Sequence, residues 1–296
     1  MINTGQIRKL MGNYIFILPA MGLFLTFSIY PFFKVFQLSA TNWDGISPTL
    51  TYVGLDNFKD LLTDNSVFWL SMRNAVWITF LALTLQNLLA LFLATLCDRD
   101  IRGGNIYRVI FYLPPVLSGI VVGLIWNWIY DGNYGLLNHF LNWIGLGDFS
   151  RAWLSDAKTA LLGVAVVHMW KGFGWGFVIL LAGLQSIPRE LYEAARVDGA
   201  SSWVVFKNIT APLMIPVFIL VSILTILGTM QVFDIIISTT GGGPGYHTEV
   251  PITRIVTTMI GSSQFGYACA MGVVFGVILL AISMVQLRVS KMMRQV

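Results

Sequence analysis

Charge is what this sequence lacks most. Only 11% of its 296 residues are Asp, Glu, Lys or Arg, whereas a water-soluble domain carries about 25% to cover its surface. A soluble globule is therefore excluded. Cysteine is nearly absent: Cys97 and Cys269 stand far apart, each inside an apolar run, which excludes a disulfide framework or a cysteine-based metal site. The three histidines, His139, His168 and His247, are too dispersed to mark a metal centre, and isolated histidines of this kind usually serve packing or an interface. No G-x-x-x-x-G-K-[ST] phosphate loop is present and the dipeptide Gly-Lys never occurs, so this chain does not hydrolyse ATP by itself. H-E-x-x-H and G-x-S-x-G are missing too, leaving no catalytic constellation and no expectation of a resident metal or cofactor. A net charge of +4, spread thinly, is too weak to attract nucleic acid.

What the chain has is apolar length. Hydrophobic residues make up 56% of it and the mean hydropathy is +0.74. Runs of about 20 apolar residues match the ~30 Å core of a bilayer, and six qualify: 14–33, 75–97, 109–130, 160–184, 211–237 and 266–287. The fourth contains His168 and Lys171, and the fifth contains Asp234 near its far end. Alternating strands of a membrane barrel are absent from the pattern. The expected fold is an all-α integral membrane protein with six transmembrane helices in a lipid bilayer. Lys and Arg concentrate in cytoplasmic loops. With the N-terminus inside, the inner segments hold eleven: Arg8, Lys9, Arg99, Arg102, Arg108, Arg189, Arg196, Lys207, Arg288, Lys291 and Arg294, against seven elsewhere. Both termini are then cytoplasmic. The first run is longer than a signal-peptide core and is followed by Tyr30, Pro31, Phe32 and Phe33 rather than a cleavage site, so it reads as a retained anchor.

The loops are less uniform. The segment 37–68, with Asp44, Asp56, Asp60 and Asp64, reads as an extracellular cap. The segment 131–158, with Trp143 and Trp153, suits helices lying at the membrane interface. Gly241, Gly242, Gly243, Pro244 and Gly245 form a loop that excludes helix. G-x-x-x-G pairs at Gly119 and Gly123, Gly172 and Gly176, and Gly272 and Gly276 argue for closely packed helices. No repeat or linker divides the chain, which reads as one transmembrane domain over 1–296 with its core at 70–290.

The longest inner loop, 184–212, reads LQSIPRELYEAARVDGASSWVVFKNITAP. Ser186 as N-cap, Pro188 in the first turn and Gly199 beyond the last turn predict a helix over 188–198. At ~11 residues it is marginal alone in water and needs a surface to lean on. Ser201 and Ser202 predict a second short helix through Trp203 and Phe206 to Pro212. Such a capped helix on the cytoplasmic side suits docking into a groove of another protein, or merely connects two spans along the membrane surface.

The stretch EAARVDGASSWVVFKNITAP resembles the EAA loop of importer-type ABC permeases: E-A-A, three residues, Gly, nine residues, then I-x-L-P. Glu193, Ala194 and Ala195 are followed by Gly199 and then by Ile209 and Pro212, with Ala211 in place of the Leu. YVGLDNF from Tyr52, FYLPPVLSGIVVGLIW from Phe111, WLSD from Trp153 and QVFDIIISTTGGGPG from Gln231 extend the resemblance over almost the whole chain and narrow it to carbohydrate-type permeases. The resemblance implies a type I importer permease fold in a prokaryotic cytoplasmic membrane. It further implies a second homologous permease subunit, two ATPase subunits that bind ATP and Mg, and an extracellular solute-binding protein. Under it, Glu193, Ala194, Ala195, Asp198 and Gly199 contact the ATPase.

A carbohydrate needs donors, acceptors and aromatic faces along its path. The fourth run offers Trp170, Lys171, Gly172, Phe173 and Trp175, and the fifth Gln231 and Asp234, three apart and expected on one helical face. A cation in mid-span is costly and by default suggests function, although Lys171 could equally serve structure and the tryptophans packing. Two other classes remain: the same family importing glycerol phosphate or another polar solute, which calls for a cationic cluster, and a stand-alone secondary carrier or channel, which the EAA loop opposes.

Overall fold

The computed structural model describes residues 16–63, 66–98 and 103–293. Arg8, Lys9, Asp64, Arg99, Arg102, Arg294 and the start of the first run at Tyr14 lie outside the described residues. Among the described residues, five helices are long and apolar enough to cross a bilayer: α1 (Phe16–Ser39), α3 (Ser66–Cys97), α7 (Ala160–Gln185), α9 (Ser202–Met230) and α12 (Phe265–Met293, apolar to Lys291). Between them lie α2 (Asp56–Thr63), α4 (Gly104–Val116), α5 (Gly119–Ile129), α6 (Leu136–Trp143), α8 (Arg189–Val197), α10 (Asp234–Thr239) and α11 (Pro251–Val256). The helix α4 and α5 together supply the sixth apolar stretch.

Residues 109–130 were expected to be one straight span, and here the structure differs. α4 and α5 meet at a 98° bend. Pro114 and Pro115 end α4, and Leu117 and Ser118 are extended. Pro115 has no N–H for the Phe111 carbonyl, and a Cβ at Gly174 of α7 would strike that same carbonyl and the Pro115 ring. The absent side chain at Gly174 is what lets α4 and α7 lie so close.

Contacts divide the chain into two compact units. One comprises residues 1–65 and 255–277. The loop after α1 is tied by Asn57, whose Nδ2 donates to the Ser39 and Thr41 carbonyls at 2.8 Å each. Phe265 packs on Trp43 with ring centres 5.5 Å apart, and the Gly266 N–H donates to the Trp43 carbonyl at 2.9 Å. The Asp44 carboxylate accepts from the Ser47 hydroxyl and from the Ser47 and Ile46 N–H groups.

The other unit comprises residues 66–254 and 278–296. Its centre is α7, against which α3, α4 and α9 all pack. Ala90 and Ala94 of α3, Phe173, Phe177 and Leu180 of α7, and Met214 and Val221 of α9 form the shared core. Small residues permit this: a Cβ at Gly176 would touch Ala90 and Val221, and one at Gly183 would press on Val217. Polar groups join α3 to α9 within the apolar bundle. The Thr79 and Thr229 hydroxyls lie 2.8 Å apart, and the Thr225 hydroxyl donates to Asn87 Oδ1 at 3.1 Å. Such bonds across membrane helices are worth about 0.6–2 kcal/mol each.

Candidate functional site

Within the second unit, a cavity of about 570 Å³ lies among α3, α7, α9 and the start of α10. A π turn in α3, Ala82–Gln86, ends at Gln86, which lines the cavity. α7 contributes His168, Lys171, Gly172 and Trp175, each three or four residues from another and therefore on one face. α9 contributes Thr225 and Gly228, and the chain beyond it Gln231, Asp234 and Ile235.

Gln231 and Asp234 do not share a helical face as the spacing suggested. α9 ends at Met230, Gln231 caps it, and a new helix, α10, starts at Asp234. The α5 glycines account for where α10 sits. A Cβ at Gly119 would collide with the Asp234 carboxylate and one at Gly123 with Ser238, while Asn127 Nδ2 donates to the Ser238 carbonyl at 2.7 Å. Gly119 and Gly123 thus pack as the G-x-x-x-G spacing anticipated, and Gln231 and Asp234, on either side of the break between α9 and α10, both still reach the cavity. Gly172 likewise packs closely on Gln86. Gly272 and Gly276 differ, since a Cβ at either meets nothing within 4 Å among the described residues.

Of the residues singled out for a solute path, Lys171, Gly172, Trp175, Gln231 and Asp234 line the cavity. Phe173 and Trp170 do not. Phe173 is only 6% exposed and meets Phe111 edge-on, and Trp170 meets Trp126 with ring centres 5.7 Å apart. Gln86, His168 and Thr225 were missed. A polar side chain inside an otherwise charge-free run was the available signal. Three buried polar atoms here have no hydrogen-bond partner among the described residues: Gln86 Oε1, His168 Nδ1 and the neighbouring Asn87 Nδ2. Leaving such groups unsatisfied costs about 1–3 kcal/mol each.

At the opposite end of α9 stands α8. It spans Arg189–Val197, within a residue of the expected bounds. Its cap is not Ser186. Pro188 holds that position, and the Ser186 hydroxyl donates to the Gly183 carbonyl at 2.7 Å, closing α7 instead. Gly199 does stop the helix. At φ +70° it adopts the left-handed conformation that glycine tolerates best. The Ala200 N–H then reaches the Ala195 carbonyl and the Gly199 N–H the Arg196 carbonyl, the two bonds of a Schellman closure. Glu193, Ala194, Asp198 and Gly199 are exposed and Ala195 is half-buried. On the inner side of α8, the Tyr192 hydroxyl lies 3.1 Å from the Thr210 hydroxyl. The second loop helix, expected to lead through Pro212 to the fifth span, is the first part of α9, which is continuous from Ser202. A π turn, Phe206–Thr210, precedes Pro212, and its wider winding makes room for the ring.

The glycine-rich loop 241–245 is built tightly. Gly242 at φ +92° lies against the Glu249 carboxylate, the Thr248 hydroxyl donates to the Gly243 carbonyl, and Asn74 Nδ2 donates to the Glu249 carbonyl at 2.9 Å. Burial pushes the Glu249 carboxyl above the usual range, opposed by its bond with Thr253 and by the Arg254 charge.

Residues 86–295 match the family model of the binding-protein-dependent transport system inner membrane component. The chain belongs to that family. It is accordingly a multi-pass permease of the inner membrane, serving transport that depends on a binding protein. The permease is 35% identical to a probable ABC transporter permease protein, YurN, of Bacillus subtilis, over 98% of each chain. It is 33% identical to the trehalose/maltose transport system permease protein MalF of Thermococcus litoralis, over 97% of this chain and 96% of that one. Its fold superposes with a TM-score of 0.83 on a chain of a bacterial alginate ABC transporter, solved in complex with an alginate pentasaccharide-bound periplasmic protein. That chain is 23% identical, with 95% of this permease and 94% of that chain covered. The type I importer permease fold expected from the sequence is therefore the fold found.

Proposed function

We propose that this permease carries a carbohydrate, an oligosaccharide in particular, through the cavity beside Gln86, Lys171 and Asp234, as one half of an ATP-driven importer. The observation that carries the reading is a cavity between membrane helices that presents Gln86, Thr225 and Gln231 together with the Trp175 ring. Hydroxyls of a sugar can exchange hydrogen bonds with these polar side chains, and its C–H face can stack on the ring. Lys171 and Asp234 face the same space, so charges of both signs are present. That balance suits an uncharged solute better than a phosphate ester, which calls for cations without a carboxylate beside them. The MalF relative, by its name, transports trehalose and maltose, in keeping with this reading.

In the assembly we propose, a second homologous permease completes the path and two ATPase subunits hold ATP and Mg. A binding protein delivers the solute from outside. Glu193, Ala194, Ala195, Asp198 and Gly199 form the contact with the ATPase, and a charge-assisted bond from Glu193 to a basic residue there is in keeping with its exposure. The whole chain acts as one permease domain, with 37–68 as its outer cap and 184–212 as its coupling loop. Moving such a gate from 1:99 to 99:1 takes about 5.5 kcal/mol of differential binding, supplied by nucleotide and loaded binding protein.

The test is uptake of labelled malto-oligosaccharides by proteoliposomes holding the full complex. Gln86→Leu should weaken half-saturation at least about fivefold, the equivalent of one hydrogen bond lost to the solute, without lowering ATPase activity. Preferred uptake of glycerol phosphate would overturn the assignment to sugar.

A further inference from the structure

The Tyr192–Thr210 contact joins two elements that differ sharply in how they are held. α8 is a nine-residue surface helix with Glu193, Ala194 and Val197 exposed. Alone it is too short to hold its shape or its angle. Its inward side is different: Ile187, just before it, is buried in the core formed by Phe177, Leu184 and Met214, and the Tyr192 ring packs against that core. The Tyr192 hydroxyl meets the Thr210 hydroxyl at 3.1 Å.

Thr210 occupies a particular place in α9. It is 8% exposed and is the last residue of the π turn, two positions before Pro212 and six before Pro216. A π turn disturbs the regular hydrogen-bond ladder and each proline removes a donor, so this first part of α9 bends more readily than the rest. Beyond it the helix runs without another break to Met230, then to Gln231 and Asp234 at the cavity. The rigid part from Pro216 to Met230 is about 21 Å long. A small change of angle at Thr210 is therefore carried to the cavity as a displacement.

From this arrangement we infer that Tyr192 is a positioning residue for coupling: its hydrogen bond to Thr210 fixes the angle between α8 and α9 at the softest point of α9. Motion imposed on α8 reaches the cavity through this bond instead of being lost in local bending. The inference rests on the reading that α8 docks an ATPase, and it assigns no contact with solute or nucleotide to Tyr192 or Thr210.

Tyr192→Phe, Thr210→Val and the double variant separate this role from simple stability when measured in the assembled complex. Each single variant should lower solute imported per ATP hydrolysed by about twofold to tenfold, as fits one neutral hydrogen bond. Basal ATPase activity, subunit retention and melting temperature should stay unchanged. The double variant should be no worse than either single one, because both remove the same bond. Thr210→Ser, which keeps the hydroxyl, should restore the ratio. An unchanged ratio in Tyr192→Phe, or additive losses in the double variant, would overturn the inference. If Glu193→Ala also left uptake intact, the docking reading would fall with it. If Glu193→Ala abolished uptake while Tyr192→Phe did not alter the ratio, only the positioning role would fall.

Discussion

Glu249 illustrates how much one buried side chain can reveal. It is 3% exposed, its Oε1 has no partner among the described residues, and burial holds its pKa above the ordinary carboxylate value. A group whose pKa rises on folding favours the folded state most when protonated, and that advantage is lost as pH climbs from the unfolded value through the folded one. Glu249→Gln imitates the protonated form. Its melting temperature should therefore match the parent near pH 4 and exceed it at pH 7 to 8. A parent that is the more stable of the two at pH 8 would show that Arg254, not burial, governs this site. Lys171 and Asp234 could be read in the sequence as charged interruptions of the fourth and fifth runs, and were found that way. Gln86 and Thr225 were not, because an uncharged polar residue barely lowers the hydropathy of its run and its partners lie on other helices.

Among the elements, apolar length and glycine or proline signals located most of what matters. The six runs follow from composition, and the bounds of α8 follow from Pro188 and Gly199. Breaks inside an apolar run were harder. Nothing in hydropathy distinguishes the bend after Val116, or the restart at Asp234, from a straight span; Pro114 and Pro115 end α4 before the bend, and both features need a neighbouring helix that accepts close approach. Gly174 is the place that decides the first of these. Gly174→Val would drive a side chain into the Phe111 carbonyl and the Pro115 ring, and overpacking of this kind typically costs about 1–3 kcal/mol. The purified complex should melt several degrees lower and α4 should become more accessible to protease. An unchanged melting temperature would mean that α4 and α7 are not packed as described.

In the proposed importer, labour is divided between chains. The sequence of this permease holds no phosphate-loop motif, yet the chain presents an exposed, well-terminated helix, α8, at one end of α9 and, at the other, a largely apolar cavity with several polar side chains. Its family membership makes it a transport component, and the proposed mechanism makes it a gate moved by force applied at Glu193 and its neighbours. A stand-alone carrier would need none of these residues. The most direct measurement is solute uptake by proteoliposomes containing the complete complex with Glu193→Ala in this permease, alongside its ATPase activity. The account predicts normal insertion and assembly, basal ATP hydrolysis no longer stimulated by loaded binding protein, and uptake lost. Uptake at the parent rate, or uptake that continues on an ion gradient after the ATPase subunits are removed, would contradict it.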